Sequence, residues 1–361
     1  MKTNVLITNI IIRHMRCDSF CKYCYLNRDP DRKDEYTEPY SYEGDLKTNI
    51  RGILEFSKTY FNSPIIKICG GEVFLMSNLK ELVQELLEYY PYVLIQTNGK
   101  HLDEKNLKWI IDLKRVLIQI SLDSHDVRFN SYRFSDEEVM RKVLFAIETL
   151  KRNDVYVEIT SVLNNLNTLH YDEFIDYLYQ LPRGQNENIL KTTPIYIIDT
   201  TGKYKPTKED SENIKKLISQ YEKYHSILPP KQYLDSIYSL MQGDKLKYKC
   251  YNPIVSLNFT DEGKIKACTN ILPEDVLNVG DIFSEDHLSI IEKFGKTKFQ
   301  KMLLETQQRI PICKNCYTFC SIYNLYLNNT IELEELCENN YMFGLPEVKK
   351  VLSEIKASIE S

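Results

Sequence analysis

The chain has 361 residues, 43% of them hydrophobic, a net charge of -5 and ten cysteines. That length and apolar share exclude a disordered or fibrous chain and leave room for one large domain and a smaller one, while interspersed lysines and glutamates offer no polyanion-binding surface, so no nucleic acid partner is expected. The longest mainly apolar stretches, such as Val5 to Ile12, fall well short of the roughly 20 residues of a membrane helix, and the opening Met-Lys-Thr-Asn lacks a signal-peptide cleavage site, so no membrane partner and a cytoplasmic location are expected.

Val5 to Ile12 reads as a largely buried strand that delivers the chain into Arg16-Cys17-Asp18-Ser19-Phe20-Cys21-Lys22-Tyr23-Cys24-Tyr25. The polar stretch Asn27 to Thr37 reads as a surface excursion, followed by an amphipathic helix at Leu46 to Tyr60 and a strand at Ile65 to Cys69. The alternation continues with helix Asn78 to Tyr90, strand Val93 to Gln96, helix Asp103 to Leu113, strand Val116 to Leu122 and helix Asp136 to Arg152. Strand Val155 to Leu163, helix Tyr171 to Leu181 and a sixth strand at Ile195 to Ile198 complete it. Such alternation implies a parallel sheet with right-handed crossovers and a site at the strand C-termini. Thr200 to Pro230 reads as a bridge, Glu347 to Ile359 as a terminal helix. Lys249 to Thr269 reads as a hairpin, strand Ile254 to Phe259, turn Thr260-Asp261-Glu262-Gly263 and strand Lys264 to Ala267, bringing Cys250 and Cys268 together at its two ends.

The expected fold is therefore α/β: a partial (β/α)6 TIM-like barrel over residues 1–205, a bridging helical segment over 206–245, a small α+β domain with the hairpin over 246–340, and a C-terminal helix over 341–361. Six units rather than eight leave a lateral opening for a bulky substrate.

Cytosolic thiols are kept reduced, so the cysteines read as metal ligands or catalytic groups rather than disulfides. Cys17, Cys21 and Cys24 are spaced C-x3-C-x2-C. Iron-sulfur clusters are usually held by four cysteines, so three would leave one iron of a [4Fe-4S] cluster open to a small ligand. A zinc site is the alternative that C-x2-C alone allows.

C-x3-C-x-Tyr-C soon after an apolar strand resembles the radical S-adenosylmethionine (SAM) enzymes. The resemblance implies that SAM binds the open iron through its amino and carboxylate groups. One electron then cleaves it to methionine and a 5'-deoxyadenosyl radical, which abstracts a substrate hydrogen. Gly70-Gly71-Glu72, after Cys69, resembles the family's Gly-Gly-Glu motif, where glycines allow close backbone approach and a carboxylate holds the methionyl ammonium. Val73 stands where the family usually has Pro. Thr97 and Asn98 in Gln96-Thr97-Asn98-Gly99, and Ser121 and Asp123 in Ser121-Leu122-Asp123-Ser124, match its polar pocket lining. Arg133, with Arg128 second, fits the arginine near the SAM carboxylate, and Asn164 and Asn167 fall where the family contacts ribose or adenine.

Cys250-x12-Gly263-x4-Cys268, then Cys313-x2-Cys316-x3-Cys320-x16-Cys337, resembles the auxiliary-cluster region called SPASM or its shorter relative Twitch, with one cysteine fewer than the full pattern. One auxiliary [4Fe-4S] cluster with spare thiols, or two sharing six ligands, both fit that spacing. The resemblance implies a peptide-modifying oxidoreductase acting on a ribosomally made peptide or protein by crosslinking, epimerisation or side-chain oxidation. A flavodoxin or ferredoxin would be the electron donor. Because only sixteen residues precede Cys17, recognition is expected to use the barrel, the auxiliary domain or a separate leader-binding protein. Thr269 replaces the aspartate that sulfatase-maturing relatives carry after the second auxiliary cysteine, which ranks that activity lower. The rivals are a radical SAM dehydrogenase or rearrangement enzyme acting on a small molecule, and a non-catalytic iron-sulfur carrier, which needs neither the three-cysteine loop nor Gly-Gly-Glu.

Overall fold

A computed structural model of the protein describes residues 2–24, 33–182, 184–198, 202–245, 248–269, 278–305, 313 and 316–360. Its frame is a nine-stranded sheet. In sequence order the strands are β1 (Ile7–Ile12), β2 (Ile65–Gly70), β3 (Tyr92–Thr97), β4 (Val116–Ser121), β5 (Val157–Leu163), β6 (Leu190–Tyr196), β7 (Ser256–Thr260), β8 (Lys264–Lys266) and β9 (Asn278–Asp281). They lie side by side as β9-β8-β7-β1-β2-β3-β4-β5-β6, parallel from β7 to β6, with β8 and β9 added antiparallel.

All residues of β1 are buried, as expected of a parallel strand covered on both faces. The crossovers are α1 (Gly44–Tyr60), α2 (Leu79–Tyr89), α3 (Glu104–Leu113), α4 (Glu137–Arg152) and α5 (Tyr171–Gln180). Leu79, Leu82, Val83, Leu86 and Leu87 form the buried stripe of α2 at helical spacing. Asp103 and Asp136 cap α3 and α4 by accepting backbone N–H bonds, each worth about 1 kcal/mol. Further helices are α6 (Ser211–Ser219), α7 (Lys231–Gln242), α8 (Phe319–Leu327), α9 (Leu333–Asn339) and α10 (Pro346–Glu360). Among the described residues, no helix is long and apolar enough to cross a membrane.

Two elements differ from the sequence reading. The sixth strand begins at Leu190, five residues before the expected Ile195, and includes Lys191, Thr192, Thr193 and Pro194. It is the sheet's edge, where a proline without an N–H is tolerated, so its polar stretch hid a strand. The hairpin's first strand starts at Ser256 rather than Ile254, because Asn252–Val255 forms a helical turn with Pro253 in its first turn. The hairpin also does not make a sheet of its own. β7 pairs in parallel with β1, from Ile7 opposite Ser256 to Ile11 opposite Thr260, and so supplies partners to an edge that would otherwise be open. Of the expected polar excursion only Lys33–Thr37 falls among the described residues, as one helical turn; residues 25–32 lie outside them.

The N-terminal end of the sheet is closed by the C-terminal helices. Asn4 donates to Glu354 at 2.9 Å and Tyr92 to Glu347 at 3.0 Å, joining α10 to the feet of the strands. Lys356 of α10 donates to the carbonyls of Tyr326 and Leu327 at 3.1 Å each, which satisfies the C-terminus of α8 with a cation.

Candidate functional site

The backbone leaves β1 at Ile12 and turns at Arg13, whose φ is 41°. Asp261, in the hairpin turn, fixes that exit: its N–H donates to the Ile11 carbonyl at 3.1 Å, and its carboxylate accepts from Arg13 N at 3.2 Å. The cysteine loop then crosses the C-terminal end of β2. A Cβ on Gly70 would stand 1.9 Å from the Ile12 carbonyl oxygen, and one on Gly71 1.7 Å from that of Arg16, so both positions require glycine. The close approach anticipated from the sequence is thus made first to the protein's own cysteine loop.

Glu72 N–H donates to the Arg16 carbonyl at 2.7 Å, and its side chain, 1% exposed, is bound on both oxygens. It accepts from Phe74 N at 3.0 Å, Thr97 Oγ1 at 2.8 Å and Asn98 N at 2.7 Å, which ties the end of β2 to the end of β3. Burial pushes the carboxyl up, against the pull of these donors. Asn98 continues the network, donating from Nδ2 to Asp18 at 2.7 Å and to Ser19 Oγ at 3.1 Å. Asp18, between the first two cysteines, also meets His101 Nε2 at 3.1 Å, and Lys100 Nζ donates to its backbone carbonyl at 3.0 Å. Burial alone would raise the Asp18 carboxyl; bonding to His101 and the charge of Lys100 hold it below its ordinary value. Asp18, Ser19, Lys100 and His101 were not singled out from the sequence. Their signal is position only: two lie inside the cysteine loop and two directly follow Thr97-Asn98-Gly99.

A second clamp joins the loop to β4. Asp123, fully buried at its side chain, accepts from Arg133 Nε at 2.9 Å, from Val162 N at 2.9 Å and from the Tyr23 hydroxyl. Arg133 lies over the Tyr23 ring at 5.4 Å, and its Nη1 stands 4.0 Å from Cys21 Sγ. Arg128, the second candidate, pairs with Asp126 at the surface, its side chain 76% exposed. Of the two arginines, only Arg133 faces the cysteines. Tyr23 is the tyrosine of the C-x3-C-x-Tyr-C motif, which the sequence marks without showing its bond to Asp123. Ser121 Oγ lies 3.5 Å from Thr160 Oγ1. Asn164 and Asn167 cap the loop after β5: Asn164 Oδ1 accepts from Leu166 N at 2.8 Å, and Asn167 Nδ2 donates to the Asp123 carbonyl at 3.2 Å.

The donor set of this loop suits an anionic iron-sulfur cluster. Cys17 Sγ accepts from Ser19 N at 3.4 Å, Cys24 N donates to the Cys21 carbonyl at 3.0 Å, and the Cys21 thiol lies in the field of Cys24. Burial pushes the Cys21 thiol up, and the charges of Arg133 and Lys100 draw it back, so two cations face the thiols. Among the described residues no three His, Cys, Asp or Glu side chains meet as they would about a single ion.

The second cysteine group lies at the other end of the sheet. Cys250 precedes β7 and Cys268 follows β8, so both sit at the foot of β1, whose six residues span roughly 17 Å at about 3.3 Å per residue. Burial, then the nearness of Cys268 and Cys250, pushes the Cys313 thiol up to about 12. Cys316 N donates to the Cys313 carbonyl at 3.3 Å, and Tyr248 donates to the Cys316 carbonyl at 3.1 Å. Cys320, on α8, is half-buried, and Tyr323 and the charge of Lys67 on β2 act on it. The Cys337 thiol donates to the Phe343 carbonyl at 3.2 Å, and the charges about it are Lys349, Glu334 and Glu338. Thr269 is partly buried beside Cys268.

Residues 11–178 match the family described as the radical SAM superfamily. Among solved structures, native anSMEcpe with bound AdoMet and Cp18Cys peptide superposes with a TM-score of 0.58 at 15% identity, covering 97% of this protein and 99% of that one. Streptococcus suis SuiB bound to S-adenosylmethionine gives 0.61 at 14% identity, covering 87% and 72%. SuiB bound to precursor peptide SuiA gives 0.61 at 15% identity, covering 87% and 71%. At these identities the likeness is one of fold. The sequence is also 21% identical over 291 residues to Reticulocyte-binding protein homolog 1 of Plasmodium falciparum (isolate 3D7), spanning 9% of that protein, too small a share to support a functional reading. The cysteine loop and the four polar strand ends all fall within residues 11–178, the span that matches the radical SAM superfamily.

Proposed function

We propose that this protein is a radical SAM enzyme that modifies a ribosomally made peptide or protein. Cys17, Cys21 and Cys24 would hold a [4Fe-4S] cluster with SAM on its open iron, and together these supply a 5'-deoxyadenosyl radical for hydrogen abstraction. The protein's own residues prepare that place. Arg133 sets a positive charge beside Cys21 and is oriented by Asp123; Glu72 and Asn98 lock the strand ends to the loop; Gly70 and Gly71 let the loop lie flat across β2. Ser121, partly exposed, would meet the nucleoside, with the buried Thr97 and Asn164 holding the strand ends around it.

The peptide reading is supported by the fold shared with SuiB and anSMEcpe, both solved with peptides. Cys250, Cys268, Cys313, Cys316 and Cys320 are proposed to hold one or two auxiliary [4Fe-4S] clusters in the 246–340 region. Cys337 is left out of that set, because its thiol is engaged with Phe343. A flavodoxin or ferredoxin is proposed as electron donor. The observation that carries the reading is the buried Arg133–Asp123 pair aimed at Cys21 within the superfamily span. Reconstituted protein incubated with SAM and dithionite should release 5'-deoxyadenosine, and release should rise when the precursor peptide is added. A carrier would give none, and a small-molecule enzyme would give no peptide-dependent rise.

A further inference from the structure

Below the rim, the barrel interior carries charge where a packed core would hold branched apolar side chains. Lys67 of β2 donates to Gln119 Oε1 of β4 at 2.6 Å, and Gln119 Nε2 donates to Glu158 of β5 at 2.9 Å. Glu158 also accepts from the Thr193 hydroxyl of β6. These residues sit two positions before Cys69, Ser121 and Thr160, about 7 Å below the rim layer. Cys320 of the second cysteine group lies within the field of Lys67.

A buried ionic row gives little stability over apolar packing, so its retention calls for another reason. Gln119 and Glu158 are fully buried and bonded, whereas Lys67 remains partly exposed to the interior. Among the described residues its hydrogen bond is to Gln119, a neutral amide, which leaves two of an ammonium's three donors for something else. Its negative partner, Glu158, is reached only through that amide. One compact cation without a directly bonded counter-charge suits a monoanion; a phosphate would call for an arginine fork or a helix N-terminus.

We propose that Lys67 anchors a carboxylate of the substrate inside the barrel, from either an acidic residue or the C-terminus of a peptide. The proposal builds on the peptide reading, and its test uses single capped amino acids so that the two can fail separately. N-acetylglutamate α-amide, N-acetylglutamine α-amide and N-acetylalanine with a free carboxylate are titrated into the reconstituted full-length protein under anaerobic conditions, with binding followed by saturation-transfer NMR. At least one carboxylate probe should bind about tenfold tighter than the glutamine probe, as a charge-assisted bond predicts. Tighter binding of the glutamate probe identifies an acidic residue as the source, and of the alanine probe a C-terminus. Lys67→Met should abolish the preference and Lys67→Arg should keep it; Lys67→Gln serves the same purpose if the methionine variant does not fold. Equal binding of all three probes by the wild type, no binding of any, or a preference that survives loss of the ammonium would overturn the assignment.

Discussion

The rim and the floor of this barrel gather cysteines in different ways. At the rim, Cys17, Cys21 and Cys24 share one short loop, and each neighbouring strand end holds that loop: Gly70 and Gly71 by close approach, Glu72 through Arg16, Asn98 through Asp18, and Asp123 through Tyr23. At the floor, Cys250, Cys268, Cys313 and Cys320 arrive from the two ends of a hairpin, a separate segment and a helix. The rim is therefore built by the sheet before any cofactor enters, whereas the floor depends on thiols, Cys313 and Cys320 among them raised by burial, that distant segments bring together.

The largest effect is expected where the rim is most strongly clamped. Arg133→Met leaves the Asp123 carboxylate buried without its ionic partner, which should cost about 3 to 5 kcal/mol in chemical denaturation. A loss under 1 kcal/mol would mean that the rim does not depend on this pair.

Between the two regions, Glu158 should make stability depend on pH. Burial raises its carboxyl from the ordinary 4.5 to about 7, against the pull of Thr193, Lys67 and Gln119. A raised acid stabilises the fold fully below 4.5, and that contribution is lost as pH rises through about 7, a change of roughly 3 kcal/mol. Glu158→Gln keeps both partners if the Thr193 hydroxyl turns to accept. The wild type should therefore lose about that much relative to the variant between pH 4.5 and 8; a difference that stays flat with pH would contradict the shift.

Smaller again is Glu72→Gln. The amide has one accepting oxygen for donors that now reach two, so at least one of Phe74 N, Thr97 Oγ1 and Asn98 N loses its acceptor. A loss of about 1 to 3 kcal/mol is expected, with weaker SAM binding by isothermal titration; unchanged stability and affinity would remove Glu72 from the rim's machinery.

The smallest effect tests the floor. Cys337→Ala removes a weak thiol bond to Phe343 and should leave iron content unchanged, whereas Cys268→Ala should lower it. Equal iron loss in both would return Cys337 to the ligand set.

The rim was legible in the sequence because its chemistry sits at strand ends that apolar periodicity marks out: Gly70 to Glu72, Thr97 and Asn98, Ser121 and Asp123 each end an obvious strand. The partners of these residues were not legible. Whether Glu72 faces a ligand ammonium or the N–H of Asn98 depends on how two strands register, which spacing along one strand does not encode. The continuity of β7 with β1 was hidden for a similar reason, since local patterning gives a hairpin but not the strand beside it. The interior row was the least visible: Lys67, Gln119 and Glu158 each stand between two apolar neighbours in their strands, joined only by the sheet.

The most direct test is an iron and turnover count on two proteins, the wild type and a variant with Cys17, Cys21 and Cys24 all changed to Ala. After anaerobic reconstitution, the wild type should hold roughly eight to twelve irons by Mössbauer spectroscopy and release 5'-deoxyadenosine from SAM. The triple variant should lose about four irons and all SAM cleavage while keeping the floor's iron. A wild type that saturates at about four irons with zinc on its C-terminal cysteines, or a triple variant that cleaves SAM at the wild-type rate, would contradict the account.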